Sequence, residues 1–531
     1  MRKFFQIYPN MKKVDKYFLI FLFLLAAYTL FSFSAINDFG ITWDEPPQHF
    51  IGQVNSDYIR GNSQNLDSLG GDLVYYGPFF ETMNQGFGTA MVESFQMSYV
   101  SAFHVLIILT ALAGLFFFFK LVSLMLGKRT ALFASALLML HPIFFAHSQY
   151  NSKDIPLFAG FVITLYFLYS GFRQRKFWKI VLAGLLFGLT LDIRIDALFL
   201  LPVFFLSYAV FALFGLKTES KKEWTSHLKK DFLFSFVFLS ASALAVYAAW
   251  PALWRAPLFF FKALNYFFHH QWPGHALYFG REFLGTALPW HYAPFYLAAT
   301  TPFLILIFLA LGTVLAFKKM GRGEKILELT LIFFWLFLRL TLALFPQSVK
   351  YDGVRHFLVI LPALFILAAL GFDYLLEKIP GWFPKIEKLK LQSAIFAFVF
   401  IWLAVEFFWI YPFGGAYYNE AVRIAFPRSI EKKFDFEYWG ASYRQGMNWP
   451  NNFASPETSF CVPVAPHLLQ LYPIRADLKF DCSENTNYLM FITRWAYLPK
   501  DLYQIFHFSE KEPVYRISRY NSDLLVIYKL K

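Results

Sequence analysis

Residues 17–36 read YFLIFLFLLAAYTLFSFSAI, a run of 20 residues without a charged side chain. A helix of this length crosses the hydrocarbon core of a bilayer. No small-residue cleavage site follows the run, which we therefore interpret as a retained membrane span and not as a signal peptide. The residues before it include five basic side chains: Arg2, Lys3, Lys12, Lys13 and Lys16. Because basic flanks stay in the cytoplasm, this charge places the N-terminus inside.

The composition of the whole chain is that of a membrane protein. Of its 531 residues, 57% are hydrophobic, and the mean hydropathy is +0.45. Soluble proteins of this length are far less apolar. The net charge of +13 does not indicate nucleic acid, because the basic residues lie in short loops between apolar runs. Lys and Arg in such loops set the orientation of membrane spans.

Hydropathy predicts an all-α polytopic membrane protein with about 11 transmembrane helices. The predicted spans are residues 17–36, 99–119, 130–146, 155–172, 177–191, 196–216, 232–250, 295–317, 327–345, 356–374 and 392–411. An odd number of spans puts the N-terminus inside and the C-terminus outside, and Lys and Arg are concentrated in the loops predicted to be inside. The expected location is a bacterial-type cytoplasmic (inner) membrane.

We predict two domains, a membrane domain at residues 1–411 and a small mixed α/β extracytoplasmic domain at residues 412–531. Runs typical of strands lie at 460–464, 488–492, 514–519 and 524–530, with a hairpin turn at 520–523. Cys461 and Cys482 both fall in the second domain. An oxidising compartment permits a disulfide between them, but two free buried thiols are an equally good interpretation.

The long loop at residues 37–98 is predicted to lie outside and to contain two surface helices, at 47–59 and 81–95. Asp44 and Glu45 stand side by side in it, eight residues after the first span. Asp suits a helix N-cap, Glu suits a first turn, and the prolines that follow suit a helix start. Capping and acid–base catalysis both remain open for this pair, and the two roles are compatible.

Charged residues that border the other spans also collect near the predicted outer face, which indicates one polar cavity open to the outside. Asp154 precedes a proline and suits either a helix cap or a ligand for a metal or an acceptor. Lys153 beside it suits a phosphate, as does the fixed donor fork of Arg194. Arg355 either binds a lipid phosphate or extends to the headgroups. Four histidines at positions 269, 270, 275 and 291 have no spacing typical of a metal site and are interpreted as interfacial.

The order of these motifs resembles the GT-C class of polytopic glycosyltransferases that use polyprenyl-phosphate-linked sugars. The chain is most similar to the protein O-mannosyltransferase and aminoarabinose transferase group. The motifs that carry the resemblance are Asp44-Glu45, Tyr76-Gly77-Pro78, Tyr150 with Asp154, Arg194, Arg355 with Pro362, Tyr417-Tyr418-Asn419 and the stretch from Glu437 to Ser442. The aminoarabinose transferases are similar in carrying metal-binding carboxylates on their surface helices, and Glu81 is the residue nearest to that pattern here.

The resemblance implies that one sugar is transferred from a polyprenyl phosphate to a lipid, glycan or protein acceptor outside the membrane, with inversion at the anomeric carbon. Asp44 is then the expected base, assisted by Glu45, and Lys153, Arg194 and Arg355 bind the donor phosphate. Asp154 and Glu81 bind the acceptor or a divalent metal, with Asp154 as the metal ligand. No other cofactor is expected. The expected partners are the sugar donor, its acceptor and membrane lipids.

Two other functions compete with this one. A transporter or lipid flippase is expected to place polar groups at mid-membrane depth on broken helices, and the sequence has no strong run of that kind. An oligosaccharide ligase or polymerase would use a pyrophosphate-linked glycan in place of a monophosphate donor.

Overall fold

The computed structural model describes residues 15–215, 221–345, 348, 350–508 and 511–531. It is mostly helical, with a small sheet near the C-terminus. The α-helices of the membrane region are α1 Lys16–Ser34, α2 Glu45–Ile59, α3 Phe79–Phe95, α4 Tyr99–Leu126, α5 Lys128–Met139, α6 Pro142–Tyr150, α7 Asp154–Gln174, α8 Phe177–Ile193, α9 Leu200–Gly215, α10 Lys221–Ala249, α11 Pro251–Arg255, α12 Phe259–His269, α13 Tyr292–Ala299, α14 Phe303–Gly321, α15 Ile326–Leu344, α16 Leu361–Lys378 and α17 Lys388–Ile410. The C-terminal region adds α18 Glu420–Ala425, α19 Tyr443–Gly446, α20 Asn448–Phe453 and α21 Lys500–His507.

The polytopic helical fold predicted from hydropathy is confirmed. Within the described residues, nine helical segments are long and apolar enough to cross a membrane, and each matches a predicted span. They are Lys16–Ser34, Tyr99–Leu126, Asp154–Gln174, Ile195–Phe214, Leu228–Ala249, Phe303–Gly321, Ile326–Leu344, Arg355–Trp382 and Lys388–Ile410. The other two predicted spans take a different form.

The predicted span at 130–146 is a pair of helices, α5 and α6, bent by 71° at the break between them. Pro142 opens the second helix, because proline lacks the N–H that a continuous helix needs. His141 caps that helix. Its Nδ1 accepts a hydrogen bond from the N–H of Phe144 at 3.2 Å, and its Nε2 contacts the carbonyl oxygen of Thr300 at 3.0 Å.

The predicted span at 177–191 is helix α8, which has only 17 residues. At 1.5 Å per residue it is about 25 Å long, at the short end of what a bilayer requires. The prediction for 295–317 is also wrong at its start. Residues 295–299 belong to the separate helix α13, and Pro302 precedes α14, which begins only at Phe303.

The predicted surface helices are present as α2 and α3, each starting two residues earlier than expected. The two helices touch where Gly52 meets α3. A Cβ atom on this glycine would lie 2.3 Å from the carbonyl oxygen of Glu81, so a side chain here would push the helices apart. This contact fixes the position of Glu81 relative to α2.

The C-terminal region contains the predicted mixed sheet. Its strands are β3 Ser459–Cys461, β4 Lys479–Phe480, β5 Tyr488–Ile492, β6 Tyr515–Arg519 and β7 Ser522–Lys529, and two earlier strands, β1 His275–Tyr278 and β2 Arg281–Leu284, form a separate hairpin. The sheet order is β4-β3-β5-β7-β6, with β3 parallel to both β4 and β5 and the other pairs antiparallel. Strand β3 is shorter than predicted and ends at Cys461.

One local prediction for this region, the hairpin turn, is confirmed, and one open question is answered. Tyr520 and Asn521 both have positive φ, of 55°, and join β6 to β7 as a tight hairpin turn. Cys461 and Cys482 form a disulfide, which settles the alternative that the sequence left open. The bond closes a loop between two residues 21 positions apart that carries β4.

The C-terminal region packs on the loop that follows α1. The N–H of Trp43 donates to the carbonyl oxygen of Trp439 at 2.8 Å, and the N–H of Ile41 bonds to the hydroxyl of Tyr472 at 2.8 Å. Gly40 lies so near the C-terminal region that a Cβ atom on it would be 2.3 Å from the carbonyl oxygen of Ala441. These contacts hold residues 40–43, and hence Asp44, against the C-terminal region.

Candidate functional site

A cavity of about 880 Å³ lies where the helical bundle, the loop at 37–98 and the C-terminal region meet. Four of the charged residues predicted to form the site line it: Asp44, Lys153, Arg194 and Arg355. Glu45, Glu81 and Asp154 do not line it. The predicted residues thus divide into a set that faces the cavity and a set that supports it.

Asp44 faces the cavity from the residue before α2, with about 30% of its side chain exposed. Its Oδ2 accepts a hydrogen bond from Arg355 Nη1 at 2.5 Å. The other terminal nitrogen of Arg355 lies 3.1 Å from Asp352 Oδ2. The guanidinium also lies 4.7 Å from the ring of Trp439. Arg355 is therefore fixed by two carboxylates and an aromatic ring, and it fixes Asp44 in turn.

The charges around Asp44 keep it ionised. Burial alone would raise its pKa, but the positive charges of Arg355, Lys153 and Arg494 lower the pKa to about 2. The group is a carboxylate at every pH at which a cell operates. It can accept a hydrogen bond from a ligand through the part of its side chain that remains exposed.

Glu45 points away from the cavity and into the protein. Its Oε1 accepts hydrogen bonds from the N–H and the hydroxyl of Thr42, at 2.6 and 2.8 Å. Its Oε2 lies 2.9 Å from His104 Nε2 on α4. The Thr-x-x-Glu spacing and the bond from the Thr42 N–H to Glu45 resemble one half of a capping box, although α2 begins at Glu45 and Asp44 holds the N-cap position. Glu45 therefore has a structural role, which was one of the two roles that the sequence left open. It is buried among Thr42 and His104, whereas Asp44 faces the cavity.

Lys153 is a half-buried cation that lines the cavity. Its Nζ lies 4.1 Å from the ring centre of Tyr76, and none of the described carboxylates forms an ion pair with it. In the amide orientation that satisfies both neighbours, the Gln48 oxygen accepts from Lys153 Nζ at 2.8 Å. Burial lowers the pKa of this ammonium group. Among the candidate phosphate ligands, Lys153 is thus the one whose charge is least compensated.

Glu81 lies behind Lys153, buried at the start of α3. Its Oε1 accepts from Ser152 Oγ at 2.8 Å, and the Gln48 nitrogen lies 3.3 Å from the same oxygen in that amide orientation. Burial raises the pKa of Glu81 to about 8. Gln48 thus links this carboxyl group to Lys153, and Glu81 supports the cavity without lining it.

Arg194, just after α8, pairs with the buried Asp154 at the start of α7. Arg194 Nη1 donates to Asp154 Oδ1 at 2.7 Å, and Arg194 Nη2 lies 2.8 Å from Asp196 Oδ2. Asn151 Nδ2 donates to the second oxygen of Asp154 at 2.9 Å. Arg339 contacts Asp196 from α15 at 2.7 Å. The carboxylates of Asp154 and Asp196 therefore hold Arg194 in place at the cavity.

The surroundings of Asp154 do not fit a metal ion. Both of its carboxylate oxygens are occupied by Arg194 and Asn151. Across the part of the chain that the structure describes, no three His, Cys, Asp or Glu side chains come together in a way that would hold a metal. Protein metal sites need several such ligands around one point. We derive no step through a metal.

Several cavity residues were not assigned a role from the sequence. Three of them lie in or next to motifs named in the sequence: Tyr76, Tyr351 and Asp352. Three others lie outside all of those motifs: Trp272, Arg494 and Tyr497. The histidines at 269 and 270, expected at the interface, also line the cavity. Arg494 and Tyr497 follow β5 in the C-terminal region. Only their position in the fold reveals them, because no local motif marks them.

Comparison with protein families gives one match. Residues 87–253 match the family model described as dolichyl-phosphate-mannose-protein mannosyltransferase. This segment runs from α3 to α11 and includes Lys153, Asp154 and Arg194, but not Asp44 or Arg355. A search of curated protein sequences finds no match to the chain.

Solved structures with the same architecture include ArnT from Cupriavidus metallidurans in the apo state. The match has a TM-score of 0.50 at 14% sequence identity and covers 96% of this chain and 97% of ArnT. ArnT bound to undecaprenyl phosphate matches with a TM-score of 0.46 at 14% identity, covering 96% and 98%. The oligosaccharyltransferase of Archaeoglobus fulgidus in the apo form matches with a TM-score of 0.49 at 11% identity, covering 92% of this chain and 72% of that one.

The apo ArnT match extends over nearly the whole of both chains and establishes the fold. Together with the family match, it confirms the expected resemblance. The protein has the GT-C fold and resembles the polytopic glycosyltransferases of that class that use polyprenyl-phosphate-linked sugars.

Proposed function

We propose that the protein transfers a single sugar from a polyprenyl monophosphate to an acceptor on the outer face of the membrane, with inversion at the anomeric carbon. The observation that carries this proposal is the cavity itself. It combines the partly exposed carboxylate of Asp44 with the half-buried ammonium group of Lys153, which forms no ion pair with any described carboxylate. A base and a phosphate-binding cation are the two groups that such a transfer requires. The name of the matched family, which specifies a dolichyl-phosphate-mannose donor, supports the donor class.

Asp44 acts as the base in this proposal. The acceptor O–H or N–H bonds to its exposed oxygen, and the acceptor atom attacks the anomeric carbon as its proton passes to the carboxylate. A carboxylate with a pKa of about 2 is a weak base while Arg355 is paired with it. A donor phosphate near Arg355 would draw part of that guanidinium charge away and strengthen the base.

The bond from the anomeric carbon to the phosphate oxygen breaks as the new glycosidic bond forms. Its electron pair leaves on the phosphate, which becomes the polyprenyl monophosphate product. Lys153 takes this charge, and Arg194 and Arg355 contribute from fixed positions. Preorganised positive charge of this kind typically accounts for roughly 100- to 1,000-fold in rate per donor.

The proposal is tested first at the donor. We expect purified protein to bind sugar-free polyprenyl monophosphate and to transfer radiolabelled sugar from polyprenyl-phosphate mannose, glucose or galactose to an extract of cells that lack the gene. Lys153→Gln should weaken binding of the monophosphate at least tenfold, because it removes the cation and keeps the side-chain length similar. Lys262→Gln, on the exposed face of α12 and outside the cavity, is the matched control.

If the protein prefers a pyrophosphate-linked glycan donor to every monophosphate donor, this proposal is wrong, and the protein is an oligosaccharide ligase or polymerase. If the protein moves an intact labelled lipid or solute across a vesicle membrane and forms no covalent product, the proposal is also wrong. The protein is then a transporter or lipid flippase. Mass spectrometry of surface lipids, glycans and proteins from the deletion strain would identify the acceptor by the loss of one monosaccharide.

A further inference from the structure

The C-terminal region supplies part of the cavity wall through Arg494. This side chain is only 4% exposed, and Asp352 Oδ1 accepts a hydrogen bond from its Nη2 at 2.8 Å. The carbonyl oxygen of Tyr438 accepts from its Nη1 at 2.7 Å. Its guanidinium lies 5.1 Å from the ring of Trp43 and 4.2 Å from that of Tyr497. Arg494 is thus held at the cavity by two hydrogen bonds and by contact with two aromatic rings that touch each other.

One donor of this guanidinium is not used by the protein. Arg494 Nε is buried, and no acceptor among the described residues bonds to it. Buried arginine N–H groups in folded proteins nearly always have an acceptor. Nη1 and Nη2 each carry a second N–H, and because the guanidinium borders the cavity, these are the donors that a ligand oxygen at this wall could use.

Trp272 forms a flat aromatic surface in the same cavity. Its ring stacks on Tyr351, with centroids 4.0 Å apart and an angle of 14° between the planes. Gly274 and Gly285 enclose it, because a Cβ atom on either glycine would lie 2.3 or 2.4 Å from the indole ring. The fold therefore leaves space for this ring and little space for it to move. Tyr497 lies next to it, with ring centroids 6.3 Å apart.

We propose that Trp43, Trp272, Tyr497 and Arg494 form a subsite that binds a sugar ring. A pyranose presents C–H faces that pack on indole and phenol rings, and hydroxyl groups that accept from a guanidinium or donate to a carboxylate. A polyprenyl tail has no polar atom to place against the charged wall that Arg494 and Asp352 form. The inference rests on the proposed function, since it names the chemistry that binds beside the base.

A chain of ion pairs links the subsite to Asp44, the catalytic carboxylate. Asp44 contacts Arg355 at 2.5 Å, Arg355 contacts Asp352 at 3.1 Å, and Asp352 contacts Arg494 at 2.8 Å. These four charges alternate in sign along one chain of contacts. A sugar bound at Arg494 therefore lies beside the group that removes the acceptor proton. The ring belongs either to the donor, as the transferred sugar, or to a glycan acceptor.

The test uses methyl α-D-mannopyranoside and methyl β-D-glucopyranoside as probes, with the full chain in lipid nanodiscs. Saturation-transfer NMR should show transfer to ring protons of at least one glycoside, and none beyond background for glycerol. Arg494→Lys keeps the charge but loses Nε–H, and Tyr497→Leu removes an aromatic wall while leaving the ion pairs of Asp352 intact. Each should raise the glycoside Kd at least tenfold in protein that thermal unfolding shows to be folded.

Arg475→Lys and Tyr515→Leu are the matched controls, because both residues lie in the C-terminal region and outside the cavity. These two variants should bind the glycosides as the wild type does. The inference is overturned if neither glycoside exceeds glycerol, or if folded Arg494→Lys and Tyr497→Leu retain wild-type affinity. Should Arg494→Lys fail to fold, Tyr497→Leu alone decides.

Competition identifies the source of the ring. If polyprenyl-phosphate mannose displaces the glycoside and sugar-free polyprenyl phosphate does not, the subsite takes the donor sugar. If neither lipid displaces the glycoside, the subsite takes an acceptor glycan. Either result supports a subsite that binds a sugar ring. Failure of the proposed function would appear separately, as a wild-type protein that does not bind polyprenyl monophosphate at all.

Discussion

The buried carboxyl group of Glu81 gives the protein a pH dependence that can be measured. Burial raises the pKa of Glu81 from an ordinary value of 4.5 to about 8 in the folded protein. Lys153 and Glu45 are the charged groups nearest to it, and they act in opposite directions. Because the folded state holds this proton more tightly than the unfolded state does, its stabilising contribution is complete below pH 4.5. That contribution is lost as the pH rises towards 8.

We therefore expect the Tm of the wild type to fall relative to that of Glu81→Gln as the pH rises from 4.5 to 8. The glutamine keeps the acceptor for Ser152 but cannot ionise. Thermal unfolding of both proteins in the same detergent measures the difference. Glu93 is exposed on the same helix, and the Tm of Glu93→Gln should change with pH in the same way as that of the wild type. A constant difference between wild type and Glu81→Gln across this range would contradict the assignment.

At the same scale, the adjacent acids Asp44 and Glu45 show what sequence patterns can and cannot resolve. The Thr-x-x-Glu box is a local pattern, and it accounts for Glu45 through contacts within four residues. The role of Asp44 depends on Arg355, which lies more than 300 positions away in the sequence. Local patterns offered Asp44 as the N-cap and Glu45 for the first turn. Asp44 does hold the N-cap position, but its side chain makes no capping hydrogen bond and pairs with Arg355 instead.

Two glycines bring helices α14 and α16 close together where they cross. A Cβ atom on Gly312 would lie 1.7 Å from the carbonyl oxygen of Leu367, and one on Gly371 would lie 2.0 Å from that of Phe308. Small residues allow helix backbones in membranes to approach this closely. Both helices belong to predicted spans, so their separation affects the whole bundle.

We expect Gly312→Ala to destabilise the protein by about 1–3 kcal/mol, because the added methyl group forces the two helices apart. Gly321→Ala at the end of the same helix meets no atom within 4 Å and should have little effect. Unfolding of the two variants in detergent compares them directly. An equal stability for Gly312→Ala and Gly321→Ala would show that the crossing is looser than described.

Hydropathy predicted the helices well because a span needs only length and an apolar surface, both of which are local properties. It did worse where a proline or a short helix interrupts a continuous apolar run. Pro142 splits one predicted span into α5 and α6, and Pro302 delays the start of α14. In both cases the apolar run continues through the break, so that hydropathy alone does not detect it.

Over the whole molecule, four of the charged residues that line the cavity come from distant parts of the chain. Asp44 comes from the first loop, Lys153 from the start of α7, Arg355 from the start of the span that includes α16, and Arg494 from the C-terminal region. The sequence identified three of these four from their place beside spans. Arg494 could not be found this way, because only the packing of the C-terminal region on the loop after α1 brings it to the cavity.

The predicted orientation is tested by thiol labelling in intact cells. Asp67 is exposed in the loop at 37–98, and Gly321 lies at the end of α14 beside two lysines. Because Cys461 and Cys482 are bonded to each other, a cysteine at either position is the reactive thiol. We expect a membrane-impermeant maleimide to label Asp67→Cys in intact cells and Gly321→Cys only after permeabilisation. The reverse pattern would place the cavity on the cytoplasmic side.

The central claim is that Asp44 removes a proton while sugar leaves a polyprenyl monophosphate. Its most direct test is the rate of sugar transfer from the active labelled donor by Asp44→Asn, with Asp67→Asn from the same loop as the control. General base catalysis typically contributes 10²- to 10⁴-fold, so we predict a loss of at least about 100-fold for Asp44→Asn. Donor binding and Tm should stay close to the wild type in both variants. A folded Asp44→Asn protein that transfers sugar at a near-normal rate would contradict the account.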